Sequence, residues 1–243
     1  MRPYRAIAIA AALLTGTAAH AQSAGSFVAN VGWFHLAPQV SSQPFSINAL
    51  GKTTTASGSG ADIDGSDTVG LTATYFVTDH IAVEGVFGVP PKFTLSGTGT
   101  LAGLGELGKA YEWSPTLLLK YYFNDAQSHF RPYLGAGAAY VWYSGVSLSS
   151  AMSSGAFLYS STYGTALEGQ TTAKLSSSFA PVINAGFTYN FDKHWSAGVS
   201  LSYMWLSTRA TLTTHSAAAG TVTSTSKIRV DPIVSFVSVG YRF

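Results

Sequence analysis

From Ile233 to the last residue, the side chains alternate in character. Ile233, Val237, Val239, Tyr241 and Phe243 share one face at period two, with Ser235 the one polar member. Val234, Phe236, Ser238, Gly240 and Arg242 share the other face. Period two is the spacing of a β-strand. A nearly unbroken apolar face with an aromatic end suits a wall between lipid and a lumen. A strand of a soluble sandwich alternates in the same way, so the segment needs support from elsewhere in the chain.

That support comes from seven earlier segments. Alternation predicts strands over 27–36, 67–77, 80–89, 114–123, 131–143, 179–191 and 195–206, followed by 227–243 as the eighth. In the seventh, Trp195, Ala197, Val199, Leu201, Tyr203 and Trp205 alternate with Ser196, Gly198, Ser200 and Ser202. Short polar turns at Thr78-Asp79, at 124–128 and at Asp192-Lys193 join three pairs of strands. Long connections over 37–66, 90–113, 144–178 and 207–226 join the others. Long and short connections alternate strictly, as extracellular loops and periplasmic turns do in an outer-membrane barrel. The predicted fold is all-β: an eight-stranded antiparallel transmembrane β-barrel with both termini in the periplasm. An even strand count lets the sheet close without an unpaired edge.

The amino terminus has the form of an export signal. Arg2 and Arg5 precede an apolar stretch at 6–14 that is too short to span a bilayer, and Ala19-His20-Ala21 matches an A-x-A cleavage site. The expected organisation is a signal peptide over 1–21 and a barrel domain over 22–243, in the outer membrane of a Gram-negative cell. The chain has no cysteine, which removes disulfides, thiolate metal sites and thiol nucleophiles together. Without Arg2 and Arg5 the 13 basic residues become 11, equal to the 11 acidic ones. Charged residues make up 10% of the chain, against about 25% in globular proteins. Past the signal no apolar run reaches the ~18 residues of a spanning helix. A neutral surface also offers no basic patch for nucleic acid.

The stretches 116–124, reading Thr-Leu-Leu-Leu-Lys-Tyr-Tyr-Phe-Asn, and 131–137, reading Arg-Pro-Tyr-Leu-Gly-Ala-Gly, stand in order with the ending Val239-Gly240-Tyr241-Arg242-Phe243. With these motifs the chain resembles the OmpW family of small outer-membrane proteins, to which the hydrocarbon-uptake protein AlkL belongs. The resemblance spans the whole mature chain. It implies a barrel with a narrow, rather apolar lumen that passes small hydrophobic molecules across the outer membrane, with a side opening in the wall as one route. The serine-, threonine- and alanine-rich third and fourth loops depart from the family's typical members, which bears on the ligand more than on the fold.

Motifs for chemistry are sparse. The run 103–108 satisfies G-x-G-x-x-G, but it follows no βαβ strand and reads as a glycine-rich loop tip. The histidines past the signal, His35, His80, His129, His194 and His215, have no helical i, i+4 spacing and no cysteine partner, so no metal site is expected. No Gly-x-Ser-x-Gly elbow is present, and the chain reads as a non-enzyme without a cofactor. The Val239, Tyr241 and Phe243 face reads as the signal for the barrel-assembly machinery, and outer-membrane lipid is the expected surrounding partner.

Trp33, Tyr75, Trp113, Tyr121, Trp142, Trp195, Tyr203 and Trp205 lie near predicted strand ends, where girdle aromatics sit at the lipid–water boundary. By alternation Phe76, Glu84, Val86, Leu118, Lys120, Asn184, Met204, Val234 and Phe236 face the lumen. They either line a narrow path for an apolar molecule or pack the interior shut, since eight strands enclose a space that side chains can fill. Glu84 and Lys120, at similar depth on adjacent strands, predict an inward ion pair, because unpaired charges in a tight lumen are costly. Leu101, Leu104, Leu107, Phe157, Leu158 and Tyr159 are candidates for a hydrophobic funnel in the loops. Two functions stay open: passive transport of small hydrophobic ligands, or a plugged barrel whose extracellular loops act as an adhesive or receptor surface.

Overall fold

The computed structural model describes residues 22–158 and 167–243, so the predicted signal peptide lies outside the described residues. In chain order the strands are β1 (Phe27–Ala37), β2 (Ser41–Ser42), β3 (Phe45–Ala49), β4 (Lys52–Ala56), β5 (Ser59–Ile63) and β6 (Ser66–Phe76). They continue as β7 (Ile81–Gly88), β8 (Lys92–Gly99), β9 (Glu106–Trp113), β10 (Thr116–Tyr122) and β11 (Phe130–Leu148). The last are β12 (Gly169–Leu175), β13 (Ser178–Asn190), β14 (Trp195–Met204), β15 (Ser207–Ser216), β16 (Gly220–Arg229) and β17 (Ile233–Arg242).

Eight of these strands close a barrel. The wall runs β1, β6, β7, β10, β11, β13, β14, β17, each antiparallel to its neighbours, and β17 returns to β1. Its burial is inverted relative to a water-soluble protein. Leu117 and Leu119 are 62% and 58% exposed, while Glu84 and Lys120 are 5% and 4% exposed. Leucines outside and charges inside are stable only where the surroundings are hydrocarbon. Among the described residues no helix is long and apolar enough to cross a membrane; the strands cross it.

Six barrel strands begin and end within two residues of the predicted ones. The other two differ for stated reasons. β11 runs on to Leu148 because its upper part pairs with β9. The last strand begins at Ile233 rather than 227, since Lys227, Ile228 and Arg229 belong to β16. Asp231 (φ 35°) turns the chain before Pro232, which has no N–H to give a ladder.

The four long connections are not the loops the alternation predicts. Most of their length is strand. β15 and β16 form a hairpin paired from Ser207↔Arg229 to Ser216↔Gly220, and β12, β3, β4 and β2 extend that sheet. On the other side β5, β8 and β9 continue from the top of β11. The result is a folded extracellular cap with its own core, in which Phe45, Ile47, Met152, Leu167, Leu212 and Val222 meet.

The opposite end is compact. Each short turn carries a histidine whose ring stacks on an outward tyrosine: His80 on Tyr121, His129 on Tyr189 and His194 on Tyr241. His80 Nδ1 donates to the Tyr122 carbonyl at 2.8 Å, and His129 Nδ1 donates to that of Asn190 at 2.7 Å. These imidazoles fasten turns to strands.

Candidate functional site

The barrel interior is layered, and each layer follows from which inward residues the alternation supplies. At the periplasmic end Arg131 is fully buried. Its Nη1 donates to the Gln22 carbonyl at 2.9 Å, and its Nη2 donates to those of Asp79 and Asn124 at 2.5 and 3.1 Å. The guanidinium lies over the Tyr122 and Phe76 rings, 4.9 and 5.5 Å from their centroids. Gln22 Nε2 donates onward to Asn190 Oδ1 at 2.8 Å. Arg131, Gln22 and Asn190 are thus tied to one another across the periplasmic end of the lumen.

Above it lies the expected ion pair. Lys120 Nζ is 2.5 Å from Glu84 Oε1, and Thr74 Oγ1 donates to Glu84 Oε2 at 2.7 Å. The ammonium also sits 4.3 Å from the centroid of the Tyr133 ring. Only a space of about 20 Å³ remains among these groups.

Over this floor the lumen opens into a cavity of about 440 Å³. A stacked pair, Phe34 and Phe236, with centroids 4.0 Å apart, covers one side. Gly70 leaves room for this stack, because a Cβ there would overlap the Phe34 ring in its present position. Val86, Leu118, Val182, Met204 and Val234 make the rest of the wall mainly apolar. Over the cavity the chain closes again where Val141, Leu206, Ile228 and Val230 pack together, each almost wholly buried. Floor and roof leave the side of the barrel.

That side is open between β7 and β10. Their ladder ends at Val86↔Thr116, and the next backbone bond above is from Glu112 N to the Pro91 carbonyl, 3.1 Å. Between those bonds run Phe87–Pro90 on one edge and Trp113–Pro115 on the other. Pro90, Pro91 and Pro115 have no N–H with which to close the gap. Val89 N donates away from it, to the Val69 carbonyl on β6 at 3.0 Å. The outward residues Phe87, Val89, Trp113 and Trp142 line the cavity together with the inward ones. Phe87 and Val89 are 56% and 63% exposed, so the cavity reaches the lipid-facing surface.

At the upper rim stands Glu112, the last inward residue of β9, in the cap. It is 3% exposed and has no ion-pair partner among the described residues. It lines both the large cavity and a small apolar space of about 20 Å³ in the cap, beside Phe93, Tyr143 and Ile228. Burial pushes its carboxyl up to about 7.

Of the residues expected in the lumen, Glu84, Val86, Leu118, Asn184, Met204, Val234 and Phe236 line the cavity, while Phe76 and Lys120 lie in the layers below. The expected girdle residues face outward. Tyr75, Tyr121 and Trp195 sit toward the periplasmic end, and Trp33, Trp113, Trp142, Tyr203 and Trp205 toward the cap. Trp113 and Trp142 stack with planes 2° apart at the edge of the opening. Val239 and Phe243 point outward, and the Phe243 ring meets Tyr241 edge-on at 5.0 Å.

The funnel needs correction. Leu101, Leu107 and Leu158 are buried in the core of the cap, with Leu104 and Phe157 packed against them, because the loops fold and need a core. None of them lines the cavity. Tyr159 lies outside the described residues. The inward faces of β1, β13 and β14 also supply Phe34, Leu36, Val182, Ser200 and Ser202, which strict alternation would have found. Pro90, Pro91 and Glu112 fell in an expected loop and Pro115 at the start of the fourth expected strand, and the three prolines bounding two strand ends were the signal for the gap.

The OmpW family model matches residues 23–243. Outer membrane protein W of Vibrio cholerae is 31% identical over 184 residues, which cover 74% of this chain and 76% of that protein. Its Escherichia coli counterpart is 27% identical over 243 residues, the full length of both. The crystal structure of the outer membrane protein OprG from Pseudomonas aeruginosa has a TM-score of 0.76 at 28% identity, covering 92% of this chain and 98% of that one.

Proposed function

The chain belongs to the OmpW family of outer-membrane barrels, and on that premise we propose that it passes small hydrophobic or amphipathic molecules through the cavity and out sideways between β7 and β10. The observation that carries this reading is a mainly apolar cavity of about 440 Å³, with a charged floor below and its opening in the wall. An apolar molecule gains nothing by crossing the Glu84–Lys120 layer into water. It gains about 25 cal/mol for each Å² it keeps out of water, so the bilayer is the favourable exit. The gradient drives the passage, with no cofactor and no covalent step. The girdle holds the barrel in outer-membrane lipid, and the Val239, Tyr241 and Phe243 face serves the assembly machinery. For a ligand to enter from the cap side, the roof of Val141, Leu206, Ile228 and Val230 has to part beside Glu112, where the small apolar space adjoins the cavity.

The other reading, a plugged barrel with binding loops, draws on the cap, which has a core of its own. A cavity of this size beneath the cap favours transport. Uptake of a medium-chain alkane by cells with and without the protein tests the reading. Ser200→Trp, at a buried position on the cavity wall, should lower uptake in folded, inserted protein. No difference between cells with and without the barrel would favour the binding-loop reading.

A further inference from the structure

Glu112 is the unexplained group in the cavity. An apolar chamber for hydrocarbons has no need of a carboxyl group, and burying one without a cation is costly. None is supplied among the described residues. Tyr143, paired with Glu112 across β9 and β11, holds its hydroxyl close enough to interact with the Glu112 carboxyl, but in a geometry short of a well-formed hydrogen bond. Tyr143 apart, Glu112 faces the two hollow spaces, and its backbone N–H forms the upper edge of the wall opening through Pro91.

We propose that Glu112 is a specificity-determining residue that holds the hydroxyl head of a neutral amphiphile, a medium-chain primary alcohol, while the tail lies along the Phe34 and Phe236 side of the cavity. This deepens the transport reading and rests on it. The choice of head follows from hydrogen-bond inventory. A carboxylate only accepts, whereas a carboxylic acid also donates. A hydroxyl both donates and accepts, so it satisfies Glu112 in either protonation state. An alkane leaves the group unpaired, and a fatty-acid anion sets carboxylate against carboxylate. A site built to pair with a hydroxyl discriminates against the analogue that lacks it, because the buried polar group is then left unmet.

The test is binding of 1-octanol and of octane to the purified barrel in lipid nanodiscs, each corrected for partition into protein-free nanodiscs. Wild type is compared with Glu112→Leu and Glu112→Gln. The octanol-to-octane affinity ratio should fall about five- to tenfold in Glu112→Leu, the scale of one buried hydrogen bond. Octane binding should be kept. Glu112→Gln, whose amide also donates and accepts, should retain most of the ratio. That rescue separates a role in recognition from one in packing. Equal ratios in all three proteins, with octane still bound, would overturn the alcohol site and leave the transport reading standing. Binding of neither molecule to folded wild type would overturn both.

Discussion

Lys120 Nζ lies 2.5 Å from Glu84 Oε1 inside the barrel, with both side chains less than a tenth exposed. Two charges taken out of water repay their desolvation only together, and removing one partner strands the other at a cost of about 3–5 kcal/mol. Lys120→Met should therefore destabilise the barrel by that order in denaturant titrations in lipid. Glu84→Gln combined with Lys120→Met should recover most of the loss. Uptake by the double variant should match wild type, since the pair forms the floor of the cavity and not its opening. Altered uptake there would make the pair a gate.

Gly70 and Phe34 give a second expectation. A methyl group at residue 70 would occupy the space of the Phe34 ring and push it from its stack on Phe236. Gly70→Ala should leave the barrel inserted but shrink the cavity, and alkane uptake should fall severalfold. Full uptake would mean that the stacked rings do not bound the path.

Glu112 makes stability depend on pH in a defined direction. Its carboxyl is raised from 4.5 to about 7 in the folded state, so the fold favours the protonated form. The stability linked to that proton is fully present below about pH 4.5 and is lost as pH rises through about 7. Thermal unfolding in lipid at pH 5 and pH 8 should show a smaller difference for Glu112→Gln than for wild type. An unchanged difference would place the pH dependence on another group.

The wall was legible because lipid outside and a lumen inside force period two on every strand, as in Trp195 to Trp205. Glu84 and Lys120 could be paired from their distances to the two neighbouring turns. The cap was not legible for a related reason. In β15 and β16 the buried positions are Thr208, Thr214, Ser216, Ser224 and Ser226 more often than Leu212, Val222 and Ile228. Serine and threonine on both faces hide the alternation that marks a strand, although threonine suits a pleated sheet. The wall opening was hidden because an absent hydrogen bond has no periodicity. It depends on where Pro90, Pro91 and Pro115 meet in space, and that is set by register between β7 and β10.

The route through the wall is the central claim, and the absence of cysteine permits a direct test. Continuing the Val86↔Thr116 register upward sets Gly88 opposite Ser114, and a Cβ at residue 88 meets only ordinary van der Waals contact. Gly88→Cys with Ser114→Cys, bridged by a reducible dithiol crosslinker, would bar the opening while leaving the cavity, floor and cap intact. Alkane uptake should fall to the level of cells lacking the barrel when the bridge is formed, and return on reduction, with each single cysteine variant unaffected. Uptake undiminished by a complete bridge would contradict lateral passage and place the route along the barrel axis.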